Sequence, residues 1–138
     1  MTRLGSADLD WMIDRWVAET PGVMHAVLVA ADGLPLAASR GLHGDQVDRT
    51  AATAGSLLAI AASLGRDYGA GMPEILTFRA THVHFLFMTV SDLAGLAVLV
   101  ERRGNLGIIG HHMQRLVTAV GPRLDPGPRP TPPFRTTS

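Results

Sequence analysis

The chain contains no cysteine and no lysine. Without cysteine there is no disulfide framework, no thiolate nucleophile and no Cys-based zinc site. Without lysine there is no P-loop, because that motif needs a lysine on the phosphates. A charge excess is also missing: twelve basic residues, all arginine, balance twelve acidic ones. A nucleic-acid binder carries a basic excess or a basic face, so no nucleic-acid partner is expected. Long apolar runs are lacking too. The longest are broken by Gly, Asp or Arg and are too short to span a bilayer, so no membrane insertion is expected. Met1 to Asp10 has no apolar signal-peptide core, which makes the cytoplasm the expected location.

What is present suits one ordinary domain. The chain has 138 residues, 46% of them apolar, enough for a single core. Ser6 is a candidate N-cap, and Leu9, Met12, Ile13 and Trp16 recur at helical spacing, predicting a helix over residues 7–20. Val23 to Ala31 and Leu34 to Ser39 flank Asp32-Gly33, a strong hairpin signal. Alternation along the first strand points Val23, Val27 and Val29 to one face and Met24 and Leu28 to the other. A strand apolar on both faces calls for helices on both sides of its sheet.

Asp45 is a candidate cap for a long middle helix to about Leu64. Ala51, Gly55, Ala59 and Ser63 recur on it every four residues, a small-residue stripe that lets another backbone approach. The alternative for that stripe is helix propensity plus close packing on the sheet. Gly65 to Met72 reads as a glycine-rich loop. Three strand-like runs follow, Glu74 to Arg79, Val83 to Val90 and Leu96 to Glu101, joined by short turns as an antiparallel meander. Leu106, Ile109, Met113, Leu116, Val117, Val120 and Leu124 form a last helical stripe, with Pro122 set to kink it or start a final turn. Residues 125–138 are Pro-rich and expected to be a disordered or extended tail. The expected division is an N-terminal extension over 1–6, a domain over 7–124 and this tail.

No set of residues assembles into a catalytic, cofactor or metal site. His82 and His84 share a strand face, but two ligands are fewer than zinc uses. They read as edge-of-strand and surface histidines. His111 and His112 are adjacent on a helix and point about 100° apart. Gly104, Gly107 and Gly110 lack G-x-G-x-x-G spacing; Gly104 reads as a turn, and the other two as places of close helix–sheet approach. Glu74 and Glu101 lie at strand ends with nothing to pair them, and Asp32 belongs to its turn. No catalytic residue, no cofactor and no metal is therefore expected.

The run Thr20-Pro21-Gly22-Val23 through Ala31-Asp32-Gly33-Leu34 to Ser39 resembles the first hairpin of the Roadblock/dynein light-chain family. Leu9 to Val17 resembles the first helix of its bacterial, especially actinobacterial, branch. Gly95-Leu96-Ala97-Val98-Leu99-Val100, followed by Asn105-Leu106-Gly107, resembles that branch's last strand and the entry to its final helix. The resemblance spans residues 8–120. It implies an α+β, profilin-like fold in the order α-β-β-α-β-β-β-α. The five-stranded antiparallel sheet would carry the middle helix on one face and the terminal helices on the other. It also implies a homodimer that joins sheets edge to edge and pairs middle helices, placing Ala51, Gly55, Ala59 and Ser63 at the interface. The implied function is non-enzymatic: a regulator or scaffold for a small Ras-like GTPase. Alternatives are an assembly subunit of a sensor-kinase complex and a small-ligand sensor, the latter motivated by Met72, Phe85, Phe87 and Met88.

Overall fold

The structure, a computed structural model, describes residues 6–124. The tail assigned to 125–138 lies outside the described residues, as does the N-terminal extension except for Ser6, the first residue of the first helix. The elements are α1 (Ser6–Glu19), β1 (Val23–Ala30), β2 (Pro35–Ala38), α2 (Gly44–Asp67), β3 (Ile75–Arg79), β4 (Val83–Ser91), β5 (Ala94–Glu101) and α3 (Leu106–Leu124). The strands form one antiparallel sheet in the order β2-β1-β5-β4-β3. The last strand therefore inserts between the two hairpins, and β2 and β3 become the edges.

Both faces of the sheet are covered. On one side Ala26, Leu28, Leu86, Met88, Leu96, Val98 and Val100 pack against Leu9 and Ile13 of α1 and Ile109, Met113, Val117 and Val120 of α3. On the other, Val27, Val29, Phe87 and Ala97 pack against Ala51 and Ala54 of α2. This is the two-faced burial that the apolar first strand requires. The alternation is broken at its start. The register of β1 against β5 shifts between Val23 and His25, so Val23 joins the α1 and α3 side instead of the side of Val27 and Val29. A bulge inserts one residue and turns every earlier side chain to the opposite face.

The middle helix also starts and ends differently from its sequence signals. His43 takes the N-cap position, with its backbone N–H donating to Gln46 Oε1 at 3.0 Å, while Asp45 sits in the first turn. Its carboxylate there favours the positive end of the helix without capping it. The helix runs through Gly65 to Asp67. Gly65 packs against the backbone of Gly71, where a side chain would collide with the Gly71 carbonyl. The residue that leaves the helix with a left-handed backbone is Gly69, at φ +63°. The last helix passes through Pro122 and reaches Leu124, the last described residue.

Candidate functional site

The two sheet edges are treated differently. The outer edge of β2 is covered by α1, whereas β3 ends the sheet with its outward backbone groups unpaired among the described residues. It is also poorly covered on its faces, with only Leu76 half-buried and the rest of the strand exposed. An unpaired strand edge is a template for another strand.

Beside this edge α2 presents a second apolar face. Residues Thr53, Leu57, Ile60, Leu64 and Tyr68 recur at three- and four-residue intervals, a stripe along one side of the helix. Leu57, Ile60, Leu64 and Tyr68 are all exposed, Ile60 at 67% and Tyr68 at 80%. The opposing inner face, with Val47, Ala51, Ala54 and Leu58, is the one packed on the sheet. A helix this length needs only one apolar face to dock within its own chain, and α2 has two.

A row of aromatic rings joins this face to the sheet edge. Phe78 on β3 stacks on Phe85 of β4 with ring centroids 5.6 Å apart, and Phe85 on Phe87 at 6.2 Å. Phe87 is buried under α2, while Phe78 is 56% exposed. These rings, with Arg49, Thr50, Thr53 and Leu57, line a groove of about 390 Å³ between α2 and the edge. Edge strand, aromatic row and helix face thus form one continuous apolar surface.

The four residues of the small-residue stripe lie elsewhere on α2. At about 100° per residue a four-residue repeat drifts by about 40° at each step, so the stripe winds round the helix instead of following its axis. Ala51 is fully buried against the chain's own sheet. Gly55 abuts the β1–β2 turn, where a Cβ would come 2.9 Å from Gly33 Cα. Ala59 and Ser63 are exposed. The stripe is thus divided between intrachain packing at its first half and open surface at its second. The exposed apolar residues lie on a different side of the helix, a pattern legible as an i, i+3, i+7 series once Leu57, Ile60 and Leu64 are taken together.

The residues weighed for chemistry do not converge. Glu74 precedes β3, with its carbonyl accepting from Thr89 N–H at 3.3 Å, and Glu101 pairs with Val83 at the other end of the sheet. Asp32 Oδ1 accepts from Leu34 N–H at 3.1 Å, within its own turn. His84 is not a surface residue: it is 5% exposed, with Nε2 3.2 Å from the Arg102 carbonyl oxygen and a buried Nδ1 that has no partner. His82 is exposed in the turn before β4. His111 and His112 have ring centroids 6.0 Å apart. Among the described residues no three His, Asp or Glu side chains gather as a metal site, and no helix is long and apolar enough to cross a membrane. Met72, Phe85, Phe87 and Met88 also do not form one cluster. Phe85 and Phe87 face α2, Met88 faces the terminal helices, and Met72 is exposed in the loop before β3. Alternation along β4 separates them. The two glycines expected at close helix–sheet approach, Gly107 and Gly110, would carry a Cβ at ordinary contact distance; the tight position is Gly104, in the turn before α3, where a Cβ would collide with Val100 and crowd Ile109.

The sequence matches the Roadblock/LC7 domain over residues 9–100. No curated protein matches the chain. Among solved structures, a Roadblock/LC7 domain from Streptomyces avermitilis is 31% identical, covers 84% of this chain and 97% of its own, and superposes with a TM-score of 0.79. MglB from Myxococcus xanthus shares the fold at 13% identity, with 96% and 98% coverage and a TM-score of 0.83. A profilin from Schizosaccharomyces pombe does so at 13% identity, with 81% and 95% coverage and a TM-score of 0.62. The chain belongs to the Roadblock/LC7 family.

Proposed function

We propose that this member of the Roadblock/LC7 family is a non-enzymatic, cytoplasmic homodimer that binds a small Ras-like GTPase and modulates its nucleotide cycle or location. The observation that carries the self-association is the continuous apolar surface made by the β3 edge, Phe78 and the outer face of α2. Burying a Leu, Ile or Phe side chain contributes about 1.5–3 kcal/mol, and several such residues stand exposed here together. Pairing two β3 edges would continue the sheet across a twofold axis, and the same axis would bring the two α2 faces together. A self-complementary patch is what a twofold dimer requires. Ala59 and Ser63, exposed on the flank of α2, are proposed to border this interface, with Ala51 and Gly55 supporting it from within the subunit.

The partner class rests on the family resemblance. Bacterial Roadblock proteins that this chain resembles regulate or scaffold small Ras-like GTPases. The test is to mix the purified chain with each small Ras-like GTPase of its own organism and to measure complex formation and GTP turnover. A stable complex with altered turnover is expected. A complex with a sensor kinase and unchanged turnover would favour an assembly subunit. Absence of any complex with a small GTPase would overturn the reading.

A further inference from the structure

The sheet has two edges, yet among the described residues only one is open. Directly after β2 the Ser39 N–H points inward and donates to the Ala26 carbonyl at 2.9 Å. Strand geometry therefore turns the N–H groups of Ala38 and Arg40 outward, where an incoming strand would meet them. Both are taken. Ala38 N–H donates to Asp10 Oδ1 at 3.0 Å, and Arg40 N–H donates to Asp14 Oδ1 at 2.9 Å. The second oxygen of Asp14 lies 3.6 Å from Arg40 Nε. Pro35, at the start of the strand, has no N–H to offer.

The match is geometric. Asp10 and Asp14 are four residues apart on α1, a rise of about 6 Å at 1.5 Å per residue. Two residues of strand rise about 6.8 Å. One helix turn thus delivers a carboxylate to the N–H of Ala38, the last residue of β2, and another to that of Arg40, two residues further on. Among the described residues nothing comparable covers β3.

We propose that Asp10 and Asp14 form a clamp that closes the β2 edge to strand addition, so that copies of this chain join only through β3 and assembly ends at two. The inference rests on the homodimer reading for its end point. Without the clamp, β2 becomes a second adhesive edge, and a subunit with two open edges can extend head to tail without closing.

The test is sedimentation velocity on the full chain and on Asp10→Ala/Asp14→Ala, with circular dichroism to confirm folding. The double variant is expected to form concentration-dependent species of roughly twice the parent mass or more, because edge pairing adds whole parents. Asp10→Asn/Asp14→Asn keeps an acceptor oxygen at each position and is expected to remain at parent size. Adding Ala38→Pro to the alanine pair deletes one outward N–H and is expected to suppress the growth. If the alanine pair fails to fold, Asp14→Ala alone, which keeps the Asp10 bond, is the variant measured, with a smaller increase expected. A folded alanine variant of unchanged size overturns the clamp, as does growth that Ala38→Pro leaves intact. The parent's own size reports separately on the homodimer: a monomeric parent removes that reading, while growth of the variant over the parent still tests the clamp.

Discussion

Gly55 shows how a single residue's role depends on what faces it. From the sequence, Gly55 marks a flat stripe available to a partner, and replacing it with a bulky residue reads as a direct probe of dimerisation. In the structure its missing side chain is what lets α2 lie against the β1–β2 turn, since a Cβ there would come 2.9 Å from Gly33 Cα. The neighbour is backbone, in a turn where Gly33 holds φ +86°, so it yields poorly. Gly55→Ala is therefore expected to lower stability. Overpacking costs about 1–3 kcal/mol, against a helix-propensity gain of about 1 kcal/mol for removing a glycine. A lower urea midpoint with unchanged oligomeric state is the expected result; an unchanged or raised midpoint would contradict it. His84 carries the same lesson. Two histidines at alternate positions read as an exposed pair, yet one lies before the strand and the other is buried within it. The contact between His84 Nε2 and the Arg102 carbonyl joins segments 18 residues apart, and no local pattern reports such a contact.

At the scale of the element, α2 is where sequence and structure part most usefully. Its existence and approximate extent were legible in the sequence, but its ends were not, since His43 and not Asp45 takes the N-cap position and the helix runs to Asp67. Its functional face was not, because a repeat of four residues looks straight on the page and spirals in space. The inner face is built largely from small residues, which bring the helix close to the sheet, and the outer face from large ones, which have no cover among the described residues. A substitution on the outer face should separate folding from association. Ile60→Glu is expected to convert the chain to monomer while leaving the unfolding free energy of the subunit itself within about 0.5 kcal/mol, so that only the concentration-dependent stability supplied by association is lost. Sedimentation equilibrium beside urea denaturation measures both. A dimer of undiminished affinity would show that this face is not the interface. The terminal helices were easier to place. The stripes through Ile13 and Met113 predicted buried faces, and both residues are fully buried. The secondary task of α1, covering the edge of β2, depends on Asp10 and Asp14, whose partners Ala38 and Arg40 lie 28 and 26 residues away in sequence.

For the whole molecule, the order of elements and the need for helices on both faces followed from apolar periodicity and the Asp32-Gly33 hairpin. Strand order did not. That β5 lies between β1 and β4 is a long-range pairing, and it is this pairing that leaves β3 outermost. The open edge, and with it the site, is therefore a property of topology that no local stretch contains. The account's central claim is that two copies meet through β3 and the outer face of α2. The absence of cysteine makes a direct test available: single cysteines at Leu57, Ile60 or Leu64 have no other thiol with which to react. Each variant would be oxidised mildly at a concentration where the parent is dimeric, with cysteines at Trp11 and Ile108, exposed on the terminal helices, as controls. Disulfide-linked dimers from at least one α2 position, and none from either control, are predicted. Crosslinking from the terminal helices but from no α2 position would contradict the claim.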